Sequence, residues 1–325
     1  MPSSERERFI DGISINGIHQ IDHLFETFAG TSVQDAEASV PSDLDNILAL
    51  VREGVGYSEF NVTINGLLRQ WVINLIVKQV EDLDNDNDND DYNALFLSRV
   101  GTLFHKIGEY DLSLQMQKRS LVLREALFGV DHINTADNIS GIASVFMQQQ
   151  KYDDSLECSE KALVILERHY GTREHIDVAK RLHDMGIALR RQCKTDIALE
   201  KLNEALLIKE GILGSEHNDV AKTLHGIANV YRDKGMLDLA LENHKRVLKI
   251  YEKTDGPDHI STAAAINNIG LVLEGQGKFN EALKMLEKSF ALRKKLLGND
   301  HMDTLTSHGN VEKLLQKIKE QKQSK

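Results

Sequence analysis

The sequence predicts an all-α solenoid, about five helix–turn–helix repeats stacked in line and closed by a C-terminal capping helix. Three observations predict it. A glycine-to-histidine mark recurs at Gly129–His132, Gly171–His175, Gly214–His217, Gly256–His259 and Gly298–His301, with the histidines 43, 42, 42 and 42 residues apart. A fixed period of about 20–50 residues is the signature of a repeat array. Between the marks, apolar residues fall at intervals of three and four, as Leu224, Ile227, Ala228 and Tyr231 do, which is one face of a helix. Only three prolines occur in 325 residues, at 2, 41 and 257, so long helices are not interrupted. A unit of this size cannot bury its apolar face alone, and stacked neighbours supply the core.

Four segments are expected: 1–80, partly helical; 81–91, an acidic linker; 92–319, the repeat array; and 320–325, a short tail. Short helices are expected near 18–28 and 44–52. From 62 to 83 the residues Leu68, Trp71, Val72, Leu75, Ile76 and Val80 share one helical face. This helix is expected to cap the first repeat. The alternative is pairing with a partner, although the pattern lasts only about two heptads and a coiled coil usually shows three or four. The run Asp82 to Asp91 alternates acids with asparagine. No frame within it supplies the glycine and glutamate of a calcium-binding EF-hand loop, so it reads as a solvated, self-repelling linker.

Helix pairs are expected at about 92–128, 133–170, 176–213, 218–255 and 260–297, with a final single helix at about 302–319. A small residue recurs in the middle of each first helix: Gly101, Ala143, Gly186, Ala228 and Gly270. Glycine there costs about 1 kcal/mol of helix propensity relative to alanine, so close approach of another helix is expected. The second helices carry Ser113, Ser155, Ala198, Ala240 and Ala282 facing their mates. The last helix has Glu312 in place of the small residue and a lysine-rich end, as a polar terminal cap should. The recurrent histidines are expected to close the inter-repeat turn or cap the next helix. Stacked repeats lie about 8–10 Å apart, whereas two ligands of one zinc ion must each approach to about 2 Å. No metal site is expected.

The composition excludes several classes. Two cysteines, Cys158 and Cys193, provide no disulfide framework; they read as packing residues in a reducing, cytoplasmic setting. The N-terminus alternates Glu5, Arg6, Glu7 and Arg8 with no apolar core behind it, unlike a secretory signal. No apolar run approaches the roughly 18 residues of a membrane span. Residues 1–91 hold 18 acids and 5 bases, and the remainder 32 acids and 34 bases, so the net charge of −11 belongs to the N-terminal segment. Aromatic content is 6% and not interleaved with bases, which argues against single-stranded nucleic acid. No phosphate-binding loop, nucleophile elbow or paired metal motif occurs. Neither an enzyme nor a cofactor is expected.

The strings from Ala205 to His217, Ile266 to Gly270 and Gly277 to Leu283 resemble the tetratricopeptide repeat in its 42-residue form, and are most similar to the repeats of kinesin light chains and nephrocystin-3-type proteins. The resemblance covers about residues 92–310. It implies a right-handed superhelix whose first helices line a concave groove for extended peptides. In kinesin light chains that groove offers asparagines and basic side chains to acidic, aromatic-containing cargo peptides. On this chain the solvent-pointing places of the first helices hold Arg99, Lys106, Lys180, Arg190, Arg191, Lys222 and Arg232, and the groove is expected to include Asn229, Asn267 and Asn268 as well. His105, Lys313 and Lys317 accompany them, against Asp137, Asp184, Asp233 and Glu274. Only one repeat keeps the paired asparagines, 267 and 268, and no long N-terminal heptad region that would grip a motor heavy chain is present. A chaperone clamp, which wants lysines and an arginine as well as Asn229 and Asn268, is poorly matched at His225, Thr306 and Asn310.

The expected function is a non-enzymatic adaptor binding an extended acidic peptide in the groove, in a motor or cargo complex, with no nucleic acid and no membrane insertion. The alternative is a scaffold that self-associates through the helix around Trp71. The segment from Glu81 to Asp91 contains Leu83 and, as a tethered acidic sequence, is a candidate for folding back onto the groove, with a plain linker as the simpler reading.

Overall fold

The computed structural model describes residues 91–323 other than 300, together with 73, 74, 76, 77 and 80. The expected helices near 18–28 and 44–52, Trp71, Leu75 and the acidic run before Asp91 lie outside the described residues. Eleven α-helices follow one another: α1 (Asp91–Lys106), α2 (Tyr110–Phe128), α3 (Ile133–Gln148), α4 (Tyr152–Tyr170), α5 (Ile176–Arg191), α6 (Thr195–Leu213), α7 (Asn218–Asp233), α8 (Leu237–Thr254), α9 (Ile260–Gly275), α10 (Phe279–Leu297) and α11 (Met302–Gln323). In order and length they match the five expected pairs and the closing helix, which runs four residues past 319. The chain divides into two compact units, residues 1–145 and 146–325, with the boundary inside α3.

Two kinds of turn set the period. Within a pair, the first helix gives way at a left-handed residue, Gly108, Gln150, Cys193, Gly235 or Gly277. Three of the five are glycine, which reaches positive φ without cost; Gln150 and Cys193 reach φ 60° and 62° with a side chain attached. Cys193 is therefore exposed on a turn rather than packed, a correction to the sequence reading, while Cys158 is half-buried on α4.

Between pairs, the recurrent histidine caps the next helix. Its Nδ1 accepts from the backbone N–H two residues on, at 3.2 Å for His132 to Asn134, 3.2 Å for His175 to Asp177, 3.1 Å for His217 to Asp219, 3.2 Å for His259 to Ser261 and 3.1 Å for His301 to Asp303. The imidazole does what serine or aspartate does at most helix starts, supplying an acceptor to an otherwise orphaned donor. His217→Ala is expected to cost about 1 kcal/mol, and His217→Asp to restore it, read from urea midpoints at neutral pH. An alanine variant as stable as the parent would show that the bond contributes nothing.

In the first unit, Ile73, Ile76 and Val80 are helical and bury against Phe96, Leu97, Val100, Leu103, Phe104 and Met116. These residues thus lie against the first pair, with Ile73 on the buried face. The joint beside it is polar. Gln117, buried on α2, donates to Ser98 O at 3.0 Å and accepts from Asn138 Nδ2 at 3.0 Å. A Cβ added at Gly101 or Gly141 would meet the Gln117 side chain at 2.9 and 3.0 Å.

The second unit keeps the same register with an apolar residue in the central place. A Cβ on Gly186 would lie 2.5 Å from Leu202 Cγ, and one on Gly270 2.8 Å from Leu286 Cγ. The mid-helix glycines are there because a leucine of the partner helix occupies the space a methyl would need. Forty-two residues on from Gly186 and Leu202 stand Ala228 and His244.

Helix α11 buries Val311 and Leu314 against the cluster of Ile269, Val272 and Leu273. The face it would turn toward a mate exposes Glu312, as a polar cap should, yet also Met302, Leu305 and Leu315. The cap is mixed rather than wholly polar.

Candidate functional site

The first helices of the second unit, α5, α7, α9 and α11, stand side by side. Their side chains meet at intervals of 43 residues, one more than the repeat. Arg190 Nε donates to Asp233 Oδ2 at 2.6 Å, His225 Nδ1 lies 3.4 Å from Asn268 Nδ2, Asn310 Nδ2 donates to Asn267 Oδ1 at 3.1 Å, and Lys317 pairs with Glu274. These contacts make one continuous polar face from four separate helices.

On that face the expected residues fall into three groups. Lys180 and Lys222 are exposed at the N-terminal end, each held by the acid one turn back, Asp177 and Asp219, at 2.9 Å. Such exposed i,i+3 pairs are weakly bound and open to exchange. Arg190 is a correction: only 13% of its side chain is accessible, and Asp233 engages it, so it fastens α5 to α7 rather than pointing into solvent. Asn229 and Asn267 are likewise buried between neighbours, and Asn268 is half-buried. Arg191 is exposed and Arg232 half-buried, with Asp233 at 3.9 Å from Arg232 and, among the described residues, no ion pair at Arg191 or Lys313. The pairings with Asp177, Asp219, Asp233 and Glu274 reduce the net basic character expected from sequence. Arg191 and Lys313 are left without an ion pair among the described residues, and Arg232 keeps only the long one to Asp233.

Arg99 and Lys106 belong to α1 of the first unit, Arg99 half-buried and Lys106 exposed. Beside Lys106, His105 packs edge-on to Tyr110 at 5.8 Å, and burial lowers its pKa.

Behind the face of the second unit lies a row of histidines that the sequence reading did not join together. His183 Nδ1 is 3.3 Å from Thr223 Oγ1, which accepts from Lys209 Nζ at 2.9 Å and donates to Asp219 O at 3.1 Å. The hydroxyl proton is thus committed, so the His183 tautomer carries its proton on Nδ1. Lys209 is almost wholly buried, and that burial lowers its pKa. His225 lies next along the row, its Nε2 2.8 Å from Asn229 Nδ2, and its ring is 5.3 Å from that of His244. Burial pushes His183 down to about 3, with Lys209 and His225 adding to it. Burial also pushes His225 to about 4, aided by Arg190 and Arg232, and His244 to about 3, aided by His225 and Arg232. In the same trough burial raises the Asp184 carboxyl, against the pull of Arg181 at 3.1 Å. One signal did exist for His244: it interrupts a position that reads Leu202 and Leu286 in the flanking repeats.

Residues 137–211, 219–295 and 261–324 match the sequence profile of the tetratricopeptide repeat, and residues 94–134 match a second profile of that description. The chain belongs to the tetratricopeptide-repeat family. None of the curated protein sequences matches it. Among solved structures, BtubC (BKLC) from P. vanneervenii is 20% identical, with a TM-score of 0.59 over 70% of this chain and 91% of that one. The kinesin-light-chain-like protein of Podosopora anserina with nearly identical TPR-like repeats is 19% identical, with a TM-score of 0.52 over 62% of this chain and 95% of that one. At this identity the likeness is one of fold, and it is a likeness to kinesin-light-chain-type tetratricopeptide solenoids. No helix among the described residues is long and apolar enough to cross a membrane.

Proposed function

We propose that this tetratricopeptide-repeat protein is a non-enzymatic, cytoplasmic adaptor whose second unit binds an extended acidic peptide along its first helices, within a motor or cargo complex of the kinesin-light-chain kind. The observation that carries the reading is the continuous polar face of α5, α7, α9 and α11, whose helices also carry Arg191 and Lys313, without an ion pair among the described residues, and Arg232, whose pairing with Asp233 is long at 3.9 Å. A concave cationic surface focuses potential and raises the local concentration of anionic segments. Affinity is modest and salt-sensitive, because such charges are screened over about 8 Å at physiological ionic strength.

The test is binding of the full chain to an acidic peptide array, repeated with Arg191→Glu and Arg232→Glu. Arg190 is left intact, because reversing it would repel Asp233 and loosen the joint between α5 and α7. A loss of roughly tenfold or more at low salt supports the reading, since each reversal replaces attraction by repulsion. Asp233→Asn is expected to strengthen the same binding by about two- to fivefold, by releasing Arg190. Binding indifferent to all three changes would move the working surface elsewhere.

A further inference from the structure

His244 is fully buried, and neither of its ring nitrogens has a hydrogen-bond partner. Buried polar atoms are nearly always satisfied, so an imidazole with two orphaned nitrogens calls for a reason beyond packing. Its neighbour His225 reaches the groove face and is held between two amides, Asn229 on α7 and Asn268 on α9.

The charged and titratable groups around this pair are His183 and Arg190 on α5, and Arg232 and Asp233 on α7. Asp233 is the one acid among these, and it is engaged by Arg190 and, at 3.9 Å, by Arg232. The charges that act on the two imidazoles are cationic, with no carboxylate among them. The place is rich in donors and short of negative charge.

We propose that His225, Asn229, Asn268 and Arg232 form a subsite for a side-chain carboxylate of an acidic peptide, and that filling it is coupled to uptake of a proton by the His225–His244 pair. This rests on the adaptor reading of the groove. A neutral imidazole accepts at one nitrogen and donates at the other. With His225 Nε2 accepting from the Asn229 amide at 2.8 Å, the proton is left on Nδ1, where it faces the Asn268 side chain at 3.4 Å and is served once that amide turns its oxygen to the ring. When a proton is added at Nε2, both nitrogens donate. Asn229 then turns its oxygen to the ring, and its NH2 is released to donate elsewhere. An incoming carboxylate supplies the missing counter-charge to the imidazolium and a second one to Arg232, beside Asp233. No covalent bond changes in the peptide; one proton moves from solvent to the pair as the carboxylate enters. Because linkage is reciprocal, a ligand that favours the protonated pair binds more tightly as pH falls.

The experiment is fluorescence anisotropy of a fluorescein-labelled, C-terminally amidated hexaglutamate peptide with the full chain, at pH 7.5, 6.5 and 5.5 and constant ionic strength. Glutamate stays ionised over most of this range, its ordinary pKa being about 4.3. The parent chain is expected to bind about three- to tenfold more tightly at pH 5.5 than at 7.5, part of the roughly tenfold per pH unit that one fully linked proton provides. His225→Asn and His244→Gln are expected to flatten that rise; glutamine already fills the equivalent place at 117. Arg191→Glu is expected to weaken binding equally at every pH. A rise that persists in both histidine variants overturns the inference and leaves the adaptor reading standing. An equal rise with a hexaglycine peptide bearing a free C-terminus assigns the site to an end carboxylate and overturns the side-chain assignment. If the peptide binds at no pH, the adaptor reading falls, and glutarate followed on the histidine NMR resonances decides the subsite. A His225 titration moved to higher pH by glutarate sustains it, and an unmoved one overturns it.

Discussion

Replacing Ala228 by glycine and His244 by leucine together is expected to stabilise the second unit by about 2 kcal/mol, when neither change alone does so. In the flanking repeats the central leucine always faces a glycine. The space a Cβ would take on Gly186 or Gly270 is filled by Leu202 or Leu286, at 2.5 and 2.8 Å. The register sets Ala228 against His244 in the same way. His244→Leu alone relieves two unsatisfied ring nitrogens, a gain of about 1–3 kcal/mol, but overpacks against the alanine methyl at a similar cost. Ala228→Gly alone loses about 1 kcal/mol of helix propensity. The pair recreates the Gly–Leu contact, so the two changes should couple by more than about 1 kcal/mol. Hydrogen exchange of the α7 and α8 amides, together with urea unfolding at pH 7.5, measures it. Simple additivity within about 0.5 kcal/mol would mean that Ala228 and His244 do not compete for one space.

Acid should unfold this unit earlier than its carboxylates require. His183, His225 and His244 stand at about 3, 4 and 3 in the folded chain, against an ordinary value of 6.5. The unfolded state therefore binds protons that the folded state refuses. Stability is fully present above pH 6.5 and declines as pH falls toward 4, because the unfolded chain holds more protons throughout that window. Each histidine removes up to about 1.4 kcal/mol per pH unit, so three remove up to about 4 kcal/mol per unit between about pH 6 and 4.5. Two carboxylates act lower on the scale. Burial would raise Asp177, but Lys180 and Tyr170 outweigh it and hold its pKa below the ordinary value; Lys222 does the same for Asp219. Their contribution is lost only below about pH 4. The destabilisation in the upper window thus belongs to the histidines, opposed by Asp184, whose raised carboxyl takes up its proton first in the fold. Thermal unfolding between pH 7.5 and 4.5 should show a steep fall that His244→Gln makes shallower. A flat profile down to pH 5 would show that these rings are protonated in the fold.

Much of the architecture was legible because a repeat states its own boundaries. The glycine before each capping histidine fixes the end of one pair and the start of the next, and all five pairs begin and end within about a residue of expectation. The capping role of the histidines followed from their period, which no shared ligand can satisfy. The polar face of the second unit was less legible. Arg190 and Asp233 are 43 residues apart, and only a register one residue longer than the repeat brings them together. Read helix by helix, Arg190 is a free cation and Asp233 a free acid. Cys193 misled for another reason: its left-handed backbone belongs to a turn residue, and the glycines at Gly108, Gly235 and Gly277 were the clue that its own place is one of them. His244 needed only the comparison with Leu202 and Leu286, since a ring in a leucine's place is visible once the repeats are laid in register.

The fasteners between repeats in the second unit run in two rows. Near the turns, Gln192 holds Asp153, Lys234 holds Asp196 and Gln276 holds Asp238; on the groove face, Arg190 holds Asp233 and Lys317 holds Glu274. The first row combines ionic with neutral links, and neither row is covalent. Pulled end to end, such a stack behaves as a spring whose stiffness is partly electrolytic: added salt weakens the ionic links and leaves the leucine–glycine contacts untouched. The spacing between successive first helices of the second unit is then set in part by the ionic strength around it.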